Sequence, residues 1–107
     1  MTLCKVLIAA ESSAFSNLLS RRLSIEADIE VVALVDTAKE LMAASQDTQP
    51  DVILLNFGLD DPHLVKNVKI GSPTSQVVAI VQDRSADTTR VAMRAGCQDI
   101  LCAAELF

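Results

Sequence analysis

The strongest constraint on this chain is the run Val52-Ile53-Leu54-Leu55, entered through Pro50-Asp51 and left through Asn56-Phe57-Gly58. Four consecutive branched apolar residues have no polar face. As a strand they must be covered on both sides, which is the condition of a parallel sheet carrying helices above and below. In doubly wound sheets the functional crevice lies outside the carboxyl ends of the strands. The residue at that end of the run is Asn56.

The rest of the chain supplies the layers that such a strand requires. Residues 5–10 (KVLIAA) form a first buried strand, broken by Glu11-Ser12-Ser13, where either serine can cap a helix with Phe15, Leu18, Leu19 and Leu23 inward and Arg21 and Arg22 outward. A second strand spans Ile29–Val35, and Thr37 with Glu40 three residues later has capping-box form before a helix through Leu41, Met42 and Ser45. Asp61-Pro62 predicts a helix start, an acid cap followed by proline, with Leu64, Val65 and Val68 inward over 63–69. A fourth strand covers Gln76–Val81. Ser85 then caps a helix with Val91, Ala92 and Ala95 inward, and Gly96 closes it. Asp99–Cys102 is a fifth short strand, and residues 103–107 begin a last helix that is short or missing. Five strands alternating with helices predict one α/β domain over 1–107, a doubly wound five-stranded parallel sheet of flavodoxin-like type, expected as the N-terminal part of a longer protein.

Composition narrows the function classes. Three aromatics among 107 residues make the core aliphatic. Fourteen acidic against nine basic residues give a net charge of −5, which argues against direct contact with a nucleic-acid backbone. No apolar run reaches membrane-spanning length and no cleavable signal is visible, so a cytoplasmic protein is expected, without membrane insertion. Cys4, Cys97 and Cys102 read as reduced thiols acting as small hydrophobes, and their spacing with the single His63 fits no zinc site.

Taken together, KVLIAAESSAF, IEADIEVVALV, PDVILLNFGLDD, QVVAIVQDRS and MRAGCQDILCAA resemble, in order and over the whole chain, the receiver (CheY-like) domain of two-component response regulators. The resemblance implies a phosphoacceptor aspartate at the position of Asn56, an acidic metal-binding pair at Ala10 and Glu11, a hydroxyl at Val81 and a lysine at Ala103. An amide is too poor a nucleophile to accept a phosphoryl group. Ala10 leaves Mg²⁺ short of a carboxylate, Val81 cannot hydrogen-bond a phosphoryl oxygen, and Ala103 carries no charge. Asp51 lies at the strand entrance, and Asp60 and Asp61 in the following loop, so a shifted alignment does not restore the acceptor. The region between Asn56 and Val81 is also shorter than the family's, with the loss in the third helix.

These residues imply a pseudo-receiver: a phosphorylation-independent module, not an enzyme, with no catalytic residue, metal or cofactor. It would act by binding a protein partner or a second copy through the fourth helix and fifth strand. Arg90, Arg94 and Asp99 form that possible face, although the two arginines serve equally as a solvated face near a helix C-terminus. Within this class, AMRAG near the chain end is similar to the atypical receivers of Tad/Cpa pilus-assembly proteins, and an atypical transcriptional regulator is a comparable reading. Glu11 reads as a solvated acid with some residual capacity for a metal, Asn56 as a hydrogen-bonder to the loop backbone, and His63 as exposed and idle. Two alternatives belong to other classes. A flavodoxin-like enzyme or small-ligand binder would need a glycine-rich phosphate loop, and Ala10-Glu11-Ser12-Ser13 has no glycine. A receiver still phosphorylated would need an unusual route around Asn56.

Overall fold

The computed structural model describes residues 3–58, 61, 63–82 and 85–103. Nine elements alternate: β1 (Cys4–Ala9), α1 (Ser13–Ser24), β2 (Ile29–Val35), α2 (Ala38–Thr48), β3 (Val52–Leu55), α3 (Leu64–Gly71), β4 (Gln76–Val81), α4 (Ala86–Ala95) and β5 (Asp99–Cys102). The strands form one parallel sheet in the order β2-β1-β3-β4-β5, so the chain reverses its winding direction between β1 and β3. Residues 104–107 of the expected last helix lie outside the described residues.

The apolar run sits where its composition requires. β3 pairs with β1 on one side and β4 on the other, and Ile53, Leu54 and Leu55 are buried. Alternate side chains feed two cores. Leu7, Ile53, Leu55, Val77 and Ala79 pack with Leu41 of α2, Leu64, Val65 and Val68 of α3, and Ala92 and Ala95 of α4. Val6, Ile8, Leu54 and Ile80 point to the opposite face, where Phe15, Leu19 and Leu23 of α1 cover them. Three helices therefore lie on one face, and among the described residues α1 alone lies on the other.

The caps follow the expected chemistry with one exception. The hydroxyls of Ser12, Thr37 and Ser85 accept hydrogen bonds from the backbone N–H groups of Phe15, Glu40 and Thr88 at 3.2, 3.1 and 3.2 Å. Gly96 ends α4 at φ +98, in the left-handed region that a Cβ disfavours. The exception is α3. Asp61 does not cap it: its carboxylate accepts from the His63 N–H at 2.9 Å, a turn spanning two residues, and the helix begins only at Leu64. Two inward assignments also fail. Leu18 is 53% exposed and Val91 43% exposed. Each flanks the buried stripe of its helix, and α1 and α4 present a narrower face to the sheet than the sequence pattern implies.

A polar cluster at the amino end of the sheet has no counterpart in the sequence reading. Gln49, at φ +45, occupies the left-handed position that ends α2. Its side-chain amide donates to the carbonyls of Gly71 and Gln46 at 2.9 and 3.0 Å, tying the end of α2 to the end of α3. The buried Ser72 and Ser75 hydroxyls are 2.5 Å apart, and Ser75 in turn donates to the Pro50 carbonyl at the mouth of β3. These bonds offset the backbone cost of a non-glycine residue at positive φ, on the order of 1 kcal/mol.

Two substitutions test this account by chemical denaturation. Leu55→Ala should cost roughly 2–5 kcal/mol, the range for a fully buried leucine. Gln49→Ala retains the strained backbone while losing the inter-helix bonds, and should cost roughly 1–3 kcal/mol. A loss within a few tenths of a kcal/mol at Gln49 would mean that the cluster is incidental.

Candidate functional site

Parallel strands bring their carboxyl ends to one edge, and the five crevice residues meet there. Ala10 follows β1, with Glu11 beside it; Asn56 follows β3; Val81 is the last residue of β4; Ala103 follows β5. The backbone divides at the point where the winding reverses. The Ala10 N–H donates to the Val35 carbonyl at 3.0 Å, toward β2, whereas the Glu11 N–H donates to the Asn56 side-chain oxygen at 3.3 Å, toward β3. The Asn56 N–H donates to the Ala9 carbonyl at 3.0 Å, extending the β1–β3 ladder by one residue. Asn56 thus closes the gap that opens as β1 and β3 part, using its side chain where the ladder ends.

The remaining crevice positions are packed or solvated. Ala10 is 1% exposed and its methyl belongs to the α1-side core. Val81 is buried among the α2–α4 side chains and pairs with Cys102. Ala103 packs against the α1-side core, and Glu11 is exposed. Glu11 is the only acid among the five, and among the described residues no three His, Cys, Asp or Glu side chains converge as a metal site would need.

The other singled-out residues fall elsewhere. Asp51 is at the opposite end of the sheet, where its carboxylate accepts from the Lys5 N–H at 2.8 Å. His63 is exposed. Arg90 and Arg94 are exposed on α4, with Arg90 within 3.4 Å of Asp87; an exposed pair of this kind contributes little. Asp99 is exposed at the amino end of β5, away from the crevice. The structure adds Val91 and Met93 to this surface, Met93 being 54% exposed. The sequence pattern had turned Val91 inward.

The three cysteines are free thiols. Burial pushes the Cys97 thiol up from 9.0 to about 11, with Lys69 opposing weakly, and burial followed by the nearby Asp51 raises Cys4. Cys102 donates its S–H to the Gln82 carbonyl at 3.4 Å.

Three measurements follow from this geometry. Asn56→Ala should cost roughly 0.5–1.5 kcal/mol through the unpaired Glu11 N–H. Millimolar Mg²⁺ should leave the melting temperature unchanged, since a cation stabilises only by preferential binding to the folded chain; a rise of several degrees would reveal a metal site. The Cys97 thiol is neutral in both states below pH 9, whereas between 9 and about 11 only the unfolded chain ionises. Stability should therefore fall as pH rises through that window, and Cys97→Ala should remove this part of the fall.

No family model matches the sequence, and no curated protein is detectably similar to it. Solved structures are similar. The signal receiver domain of a response regulator assigned as NarL, from Mycobacterium tuberculosis, superposes with a TM-score of 0.84 at 20% identity, over 96% of this chain and 86% of that one. The response regulator domain of Thermotoga maritima CheB gives 0.78 at 19%, over 94% and 78%. A protein from Burkholderia thailandensis assigned to pilus assembly (cpaE) gives 0.77 at 21%, over 99% and 92%. At these identities the likeness concerns architecture: the chain has the fold of the response-regulator receiver domains.

Proposed function

We propose that this chain is a pseudo-receiver, a module that works through protein–protein contact without a phosphorylation switch. The observation that carries this reading is Asn56. It occupies the carboxyl end of the central strand, where the receiver chemistry needs a carboxylate nucleophile, and its side-chain oxygen is engaged by the Glu11 backbone. Ala10, Val81 and Ala103 support it, because none can hold Mg²⁺, bond a phosphoryl oxygen or neutralise its charge. An acidic cluster in this crevice would repel itself until a metal arrived. With these residues the folded state needs no such neutralisation.

The surface for a partner or a second copy is α4 with β5. Arg90 and Arg94 supply charge there, and the exposed Val91 and Met93 supply apolar area. In this reading the module sits in the cytoplasm within a larger bacterial regulatory or assembly protein, and it contacts neither DNA nor the membrane; no helix among the described residues is long and apolar enough to cross one. The cpaE protein and the DNA-interacting regulator RcsB each superpose over 99% of this chain, so an assembly role and a transcriptional one are equally compatible with the fold.

Incubation with acetyl phosphate and Mg²⁺, read by intact mass, should give no phosphoryl adduct, and light scattering should show a concentration-dependent dimer weakened by Arg94→Glu with Met93→Glu. A stoichiometric adduct on the unmodified chain would overturn the proposal.

A further inference from the structure

We propose that copies of this chain associate head to tail, with α4 of one copy seated against the outer edge of α2 in the next. The inference rests on the reading of α4 as a contact surface, and adds what that surface meets.

The helices α2, α3 and α4 form one layer, with α3 between the other two. The Gln49 amide at the end of α2 reaches the Gly71 carbonyl at the end of α3, so that flank of α2 faces α3. The opposite flank borders a groove of about 400 Å³, lined by Val35 at the end of β2 and by Glu40, Ala43, Ala44 and Asp47 of α2. Alanines leave the groove open. At roughly 30 Å³ per water it holds about a dozen waters, which long side chains can displace. The groove and α4 thus lie at opposite ends of the layer, beside the two edge strands β2 and β5.

The two ends carry opposite charge. β2 and α2 hold Glu30, Glu40 and Asp47 against one base, Lys39. α3 and α4 hold Lys66, Lys69, Arg90 and Arg94 against one acid, Asp87, which already lies beside Arg90. Glu40, Asp47 and Arg94 form no ion pair with another described residue. The basic end also carries the apolar tip: Met93 is 54% exposed, three residues after Arg90 and next to Arg94. An unbranched thioether adapts to an irregular groove, so Met93 meets Ala43 and Ala44 while the arginines meet Glu40 and Asp47. Pairing α4 with its own copy would instead set arginines against arginines, which like charge disfavours. A head-to-tail contact leaves one α4 and one groove free on every assembly, so a dimer is only its first step.

The test is light scattering of the unmodified chain from about 10 µM to about 1 mM. The average mass should reach and then pass that of a dimer, with a Kd per step on the order of 100 µM for a contact made by exposed charges. Raising NaCl to about 0.5 M should weaken the association several-fold. A head variant, Arg90→Gln/Arg94→Gln, and a tail variant, Glu40→Gln/Asp47→Asn, should each self-associate about tenfold more weakly or worse. An equimolar mixture of the two should restore the contact once, between α4 of the tail variant and the groove of the head variant, and stop at a 1:1 pair. All four replaced side chains are exposed, so both variants should keep their melting temperature. A monomer at every concentration, growth that ends at a dimer, a tail variant that associates like the unmodified chain, or a mixture no larger than its components would overturn the inference. Weakening by the head variant alone would do so while leaving α4 as the contact surface, and the phosphoryl-adduct measurement decides the pseudo-receiver reading separately.

Discussion

The pairing of β3 between β1 and β4 is the interaction on which the other features depend. A strand with no polar face is stable only when both faces are dry, so it recruits α1 from one side and α2, α3 and α4 from the other. Its backbone then has to be fully paired. Asp51 extends the pairing with Lys5 at one end, and Asn56 extends it with Ala9 and Glu11 at the other. The crevice is a consequence of this arrangement. β1 connects to β2 on one flank and lies against β3 on the other, so the loops leaving β1 and β3 diverge above Asn56.

The residues at the crevice favour a settled structure over a reactive one. Ala10 and Val81 contribute to the cores, and Asn56 supplies a neutral acceptor to a backbone N–H that an aspartate could also have bound, without adding a negative charge beside Glu11. An active centre for phosphoryl transfer holds its charged groups in mutual conflict until metal and phosphate neutralise them. Here that conflict is absent, and side chains at the same edge contribute to ordinary packing.

Much of the architecture was legible because it follows from period and punctuation. Apolar runs of four to seven residues between helix caps gave the strands β2, β4 and β5 their observed limits, and Thr37, Ser85 and Gly96 act as their residue types imply. Errors arose where one local rule competed with another. Asp61-Pro62 has the composition of a helix start, but Asp61 closes a turn with His63 instead. Leu18 and Val91 satisfy helical spacing, yet a spacing rule fixes direction only to within about one residue in 3.6, and residues flanking the buried stripe were assigned to it.

The sequence by itself determined the layer architecture, the absence of an ionisable side chain at four of the five crevice positions, and the ends of most elements, because each depends on residues close together in the chain. Only the tertiary structure decided how the sheet edge is closed and which residues far apart in the chain are joined. The Gln49 clamp joins residues 22 apart, and the Glu11–Asn56 bond joins residues 45 apart. In β2 the register against β1 slips between Val6 and Leu7, so that Val31 packs on the α1 side and Val32 and Ala33 on the other. No residue pattern announces such a slip, because it is set by how two distant strands must align to bury both of their faces at once.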